Sequence, residues 1–304
     1  EAPESHLEAS TLEDVLVDVK EEGSFTYLFL FDDDYLTTDP VALGLASKKR
    51  VTLLRHDDFH KAEPFFRAAR AVSMDVKPSL RILDKLGFAP ENYDDVSLLI
   101  YLSDPASAGL DPFEGAKKIG ENVRTDKEIL GKGVKKKKFA DLSEEKLLEI
   151  FSERLSVTRK LCEKLREELR VREMKHLYRD VELPLVRILY EMESTGFPVD
   201  VKKLESLSED FRQEVETYER EIYELAGEEF NIQSPKQLGV ILFEKLGLPV
   251  IKKTKTGYST DVEVLTKLAP KHEIAEKILE FRTLAKLKST YVDALIPLID
   301  EKGR

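Results

Sequence analysis

A single cysteine, Cys162, in 304 residues excludes an internal disulfide framework and any zinc site built from several thiolates. No apolar run approaches the ~20 residues that a membrane-spanning helix needs. The opening residues, Glu1-Ala-Pro-Glu-Ser-His, have neither the basic head nor the apolar segment of an export signal. These absences point to a reducing, cytoplasmic setting without a membrane. The sequence shows no internal repeat. It does not open with Met, so its natural start is expected upstream.

What is present fits a soluble protein of two domains: 41% apolar and 35% charged residues, enough of each for a filled core and a solvated surface. The net charge of −11 argues against a simple nucleic-acid binder, but the charge is segregated. Residues 231–304 hold 13 Lys/Arg against 9 Asp/Glu, a balance of +4, and the remainder holds 35 against 50. An acidic front and a basic rear leave room for a local phosphate-binding surface.

The front mixes short strands and helices. Phe25–Phe31 is an aromatic run of strand length closed by Asp32-Asp33-Asp34, and 41–46 and 51–54 read as strands joined by a turn at 47–50. Strands this close imply an antiparallel start to a sheet. Helical patterns follow at 78–86 and 95–102, then loops with short helices over 105–142, which include the lysine run 135–138. From Ser143 onward the pattern is helical almost without break. Its clearest element, 200–227, places Leu204, Leu207, Phe211, Val215, Tyr218, Ile222 and Leu225 at steps of three or four, with Asp200 as N-cap and Gly227 as stop. Such a stripe needs a partner helix, for which 178–195 is the candidate. Ser234-Pro-Lys-Gln237 and Thr260-Asp-Val-Glu263 read as capping boxes that open shorter helices, and a last helix runs over 273–295.

Three segments in the basic rear share a chemistry. Ser234 and Lys236 sit at a helix start, where unpaired N–H groups and the helix dipole favour an anion. Lys252, Lys253 and Lys255 alternate with Thr256, Ser259 and Thr260 on a flexible, glycine-containing loop. Arg282, Lys286, Lys288 and Ser289 lie on the last helix, Arg282 and Lys286 one turn apart. The segments show no acidic or aromatic pocket residues, so together they read as a grip on a nucleic-acid backbone, independent of base sequence.

The stretch Phe230-Asn-Ile-Gln-Ser-Pro-Lys-Gln-Leu-Gly-Val-Ile-Leu-Phe-Glu-Lys-Leu, with Lys252-Lys-Thr-Lys-Thr-Gly-Tyr-Ser-Thr and Lys286-Leu-Lys-Ser-Thr-Tyr291, resembles bacterial DNA polymerase I of family A, of the Bacillus-like type. Glu182-Leu-Pro-Leu-Val and Met192-Glu-Ser-Thr-Gly-Phe-Pro-Val-Asp200 extend the resemblance, which is continuous over 178–304. It implies an α/β domain with a mixed sheet over 1–177, of the ribonuclease H-like 3′–5′ exonuclease fold, followed over 178–304 by an all-α thumb that opens the polymerase domain. In the family the thumb holds primer–template DNA, and the twelve residues just named would be its phosphate contacts. The palm and fingers, with the catalytic aspartates and their Mg2+, would lie beyond Arg304 in the same or a second chain. This segment would then not polymerise alone and would need no cofactor of its own.

An active exonuclease of this kind would hold two metal ions between carboxylates on a strand and two helices. Here Ser79, in Asp75-Val-Lys-Pro-Ser79, and Arg154, in Ile150-Phe-Ser-Glu-Arg154, stand where carboxylates belong, and only Asp32 and Asp34 fit the first motif. The resemblance therefore implies an inactive, structural exonuclease domain, and its acidity leaves nothing positive to draw in a single strand. Two other readings stand beside it. One is a divergent exonuclease using Asp32, Asp34 and Glu153; the other is a helical module that binds protein rather than DNA.

Overall fold

A computed structural model describes residues 7–254 and 257–304, beginning with a two-residue strand β1 (Glu8–Ala9) and a helix α1 (Leu12–Glu22). The Thr11 hydroxyl caps α1 by accepting from the Asp14 N–H at 3.2 Å. Strands β2 (Ser24–Leu30), β3 (Ala42–Ala46) and β4 (Arg50–Arg55) form the antiparallel meander expected from their spacing. A short helix α2 (Glu63–Ala68) leads into β5 (Arg70–Ser73), which returns parallel to β2, and helix α3 (Lys77–Leu86) leads into β6 (Tyr93–Asp95), parallel to β5. With β1 parallel to β4 on the far edge, the sheet order is β1-β4-β3-β2-β5-β6.

Period-two alternation along β2 assigns its two faces. Phe25, Tyr27 and Phe29 point into a cluster with Val15 and Val19 of α1, Phe65 of α2 and Leu83 of α3. Leu28 and Leu30 face the opposite layer. There α4 (Val96–Ser103), α5 (Pro112–Lys118) and α6 (Asp126–Leu130) surround the long helix α7 (Glu144–Val171), which covers the sheet with Ile150, Phe151 and Leu155. Gly44 makes that contact possible, because a Cβ on it would lie 2.3 Å from the Phe151 ring. The Ser143 hydroxyl caps α7 by accepting from the Lys146 N–H.

A π-helical turn at Leu177–Glu182 precedes α8 (Leu183–Thr195), whose Val186 and Tyr190 bury against Val76 and Leu80. That packing keeps α8 in the first unit, and the chain divides between Thr195 and Gly196. The division by packing thus lies C-terminal of the one drawn from sequence between 177 and 178.

The second unit is largely helical. Helix α9 (Val201–Ala226) has the predicted ends: Asp200 accepts from the Lys203 N–H, and Gly227 adopts φ 75°. Next come α10 (Pro235–Gly239), continued by a π-helical segment to Lys245, the paired strands β7 (Lys253–Thr254) and β8 (Gly257–Tyr258), α11 (Val262–Leu268), and α12 (Glu273–Lys286) with a π-helical continuation to Val292. The stripe on α9 packs on α12, not on 178–195: Ile222, with Val215 and Tyr218, joins Ile274, Ala275, Ile278 and Phe281 in one core. The helix at 178–195 packs Val186 and Tyr190 on Val76 and Leu80 of the first unit instead. Within the segment read as a flexible loop, Lys253–Thr254 and Gly257–Tyr258 pair as antiparallel strands.

Candidate nucleic-acid interface

The three basic segments converge. The start of α10, strand β8 with the two residues after it, and one face of α12 line a single open groove of about 1140 Å³. Ser234, Lys236, Ser259 and Thr260 border it from one side; Arg282, Lys286 and Ser289 face them from α12. Lys236 and Lys286 are exposed, and neither has an ion-pair partner among the described residues.

Ser234 caps α10 by accepting from the Gln237 N–H at 3.4 Å, whereas the Gln237 side chain accepts from the Asn231 N–H and closes the preceding turn instead of a capping box. α10 spans five residues, too few for a strong dipole, so its attraction for an anion rests on Lys236 and the local N–H groups. At the second predicted box the cap is Asp261 rather than Thr260: its carboxylate accepts from the Val264 N–H at 2.9 Å. Thr260 is buried, and Arg282, half-buried, donates to its carbonyl and hydroxyl oxygens, which ties α12 to the end of β8.

Not every predicted contact reaches the groove. Lys288 turns to Asp293, at 2.5 Å, and to Ser208 of α9. It sits two residues past Lys286, and helix positions two apart do not share a face. Lys252 pairs with Asp261 at 3.1 Å, and the Lys253 ammonium lies 5.6 Å from the centre of the Tyr258 ring. Lys255 and Thr256 lie outside the described residues.

The groove also contains what the sequence reading held to be missing. Tyr258 and Phe281 line it, with Glu244 and Asp261. The Asp261 carboxyl is held down to about 2 by the Val264 N–H first, then by the Ser259 hydroxyl and the Lys252 ammonium. Asp261 is therefore a permanent negative charge among the cations. Tyr258 was visible within Lys252–Thr260 itself.

In the first unit, the positions expected to be degenerate carry structural contacts. Asp32 lies past the end of β2 and accepts from the Phe139 and Ala140 N–H groups; Asp34 accepts from the Leu36 N–H in a turn. Ser79 is buried, 2.9 Å from the Tyr27 hydroxyl and donating to the Val76 carbonyl. Arg154 is 2% exposed, pairs with Asp126 at 2.6 Å and stacks over Phe113 at 4.2 Å. Glu153 is held by Arg124 at 2.5 Å. A buried, ion-paired guanidinium such as Arg154 does not fit a divalent cation.

Sequence reasoning also passed over a carboxylate pair, the half-buried Asp75 two residues past β5 and the buried Asp95 at the end of β6. Asp95 accepts from the Val76 and Leu98 N–H groups and the Ser97 hydroxyl, whereas the Asp75 carboxylate, among the described residues, accepts only from the Lys77 N–H. Asp75 is the poorer home for charge, and burial, with the nearby Asp95 charge, pushes it up to about 7. Folded Asp75 therefore holds its proton where unfolded Asp75 has lost it, and stability falls as pH rises from the usual carboxylate range towards neutrality. Asp75→Asn should stabilise the chain at pH ~8 by about 1–2 kcal/mol, with little change at pH ~4. Thermal melts across that range check this; an equal shift at both ends would contradict it.

Residues 201–304 match the model of DNA polymerase family A. The chain is 46% identical over 203 residues to the DNA polymerase I of Bacillus subtilis, which covers 66% of this chain and 23% of that protein. It is 48% identical over 206 residues to the DNA polymerase I of Geobacillus stearothermophilus, covering 67% and 23%. The chain thus spans about a quarter of the length of these curated relatives. The POL domain of Pol1 from M. smegmatis, solved in complex with DNA primer-template and dNTP, superposes with a TM-score of 0.75 over 98% of this chain and 51% of that one. At 23% identity that likeness shows the fold, and it spans both units.

Proposed function

We propose, for a chain that belongs to bacterial DNA polymerase I of family A, that its second unit grips primer–template DNA by the sugar–phosphate backbone and serves as the thumb of a polymerase. The observation that carries the reading is the groove, where cations from sequence-distant segments, Lys236, Arg282 and Lys286, face one another among hydroxyl donors. Ammonium and guanidinium groups on opposite walls suit a line of phosphates, and the hydroxyls and N–H groups add contacts that position without reading bases. Family A polymerases use Mg2+; in this reading the metal and the catalytic aspartates belong to the palm of the complete protein, which would work in a bacterial cytoplasm.

The rest of that polymerase is also the proposed partner of α8, which leaves Leu185, Ile188, Leu189 and Met192 exposed. The domain read from the sequence as 1–177 is a structural relic of a proofreading domain: Asp32 and Asp34 accept from backbone N–H groups, and Glu153 is ion-paired to Arg124. Release of nucleotides from a single strand, abolished by Asp32→Ala, would restore the exonuclease reading; duplex affinity that ignores salt would favour the protein-binding one.

Fluorescence anisotropy of the full chain on a primer–template duplex tests the proposal through its salt dependence. Removing one phosphate-binding cation should lower the slope of log K against log salt by about one unit, so Lys236→Ala and Lys286→Ala should each do so. Asp261→Asn should act in the opposite direction. It removes the fixed negative charge and frees Lys252, while the amide oxygen can still cap α11. Duplex affinity should rise roughly three- to tenfold at low salt, and a fall would show that Asp261 orders the groove more than it repels phosphate.

A further inference from the structure

We propose that the first unit carries a second anion site, a pocket for a phosphate-bearing ligand between β6, the C-terminal half of α7 and residues 175–183. The pocket is about 540 Å³ and separate from the groove. Its lining holds five cations, Arg70, Arg166, Arg170, Lys175 and Arg179, against three carboxylates, Asp94, Glu163 and Glu167. The expectation that nothing positive remains in the acidic front is thereby corrected, because the net charge of a domain says nothing about where its cations gather.

The arrangement is built from the inside outward. Asp94 is 4% exposed, and one of its oxygens takes both Arg166, at 2.6 Å, and Arg70, at 3.1 Å. The Tyr178 hydroxyl donates to the other oxygen at 3.2 Å. One buried carboxylate thus fixes two guanidiniums in the pocket lining and balances one of them. Arg170 is balanced by Glu167. Lys175 and Arg179 are exposed at the rim, with no ion-pair partner among the described residues. Five cations against three carboxylates leave a surplus of two, which matches the charge of about −1.5 to −2 on a phosphate monoester near neutral pH. Two guanidinium forks held in place favour a tetrahedral oxyanion over a halide or a single carboxylate.

Phosphate of this kind comes from a nucleic-acid strand or from free phosphates, and calorimetry separates them. The full chain carrying Lys236→Glu and Lys286→Glu, which disables the groove, is titrated with inorganic tripolyphosphate and with a short oligothymidylate. Binding of either, weakened about tenfold or more by adding Lys175→Glu and Arg179→Glu, supports the site; strand binding alone assigns it to nucleic acid, tripolyphosphate binding alone to free phosphates. Both rim residues are exposed, so the melting temperature should not move, and it serves as the folding control. Binding of neither ligand at low salt, or binding that these rim substitutions leave unchanged, overturns the proposal. Failure of the thumb reading would instead appear as duplex affinity untouched by Lys236→Glu and Lys286→Glu.

Discussion

Lys236→Glu combined with Lys286→Glu should lower the affinity of the chain for primer–template duplex about 100-fold at ~0.1 M salt. Each lysine is exposed and unpaired among the described residues, so each reversal takes one cation away from the phosphates and places a negative charge beside the strand. Anisotropy titrations at several salt concentrations measure the effect, which should shrink as salt rises. The melting temperature should hold, because neither ammonium supports the fold. Lys288→Ala is the contrasting control. Its ammonium links Asp293 to Ser208, so its removal should cost some stability and leave duplex binding almost unchanged. An effect of Lys288 on the salt slope equal to that of Lys286 would place the strand on a different face of α12.

The second large effect concerns the first unit. Arg154→Asp, which puts a carboxylate where the sequence resemblance expects a metal ligand, should unfold that unit rather than create a nuclease. The guanidinium is almost fully buried, donates to the Arg124 carbonyl and the Asp126 carboxylate, and lies over the Phe113 ring. Aspartate at this depth loses those partners and meets Asp126 as a like charge. The cost should be about 3–5 kcal/mol, the range for breaking a buried charge pair. Urea unfolding followed by circular dichroism measures it. Arg154→Met, which keeps the packing on Phe113 and carries no charge, should cost distinctly less. A folded Arg154→Asp variant that degrades single strands in Mg2+ would mean the site was dormant, not dismantled.

The elements legible in the sequence were those set by local rules. The ends of α9 follow from Asp200 and Gly227, and the antiparallel β2–β3–β4 from the shortness of its connections. The rest depended on long-range packing or on one-residue choices. Nothing local shows that Val186 and Tyr190 belong to α3, so the partner of α9 could not be read. Thr260 and Asp261 are adjacent and both can cap; Arg282, from a distant helix, claims Thr260 and leaves the cap to Asp261. The groove itself was visible as three basic segments. Its carboxylates were not, because Glu244 and Asp261 both lie outside the three segments, Asp261 just past the cap read at Thr260. The Arg70–Arg166–Asp94 cluster was hidden for a similar reason: its members are far apart in sequence and join only when α7 crosses the sheet edge.

Photocrosslinking tests the grip most directly. Cys162 is buried, so Ser289→Cys supplies one accessible thiol on the groove face of α12, to which a benzophenone maleimide can be attached. On irradiation with primer–template duplex at low salt, the label should transfer to DNA, and added salt should suppress transfer in step with binding. A duplex that binds with full affinity yet takes no crosslink from position 289 would contradict the account.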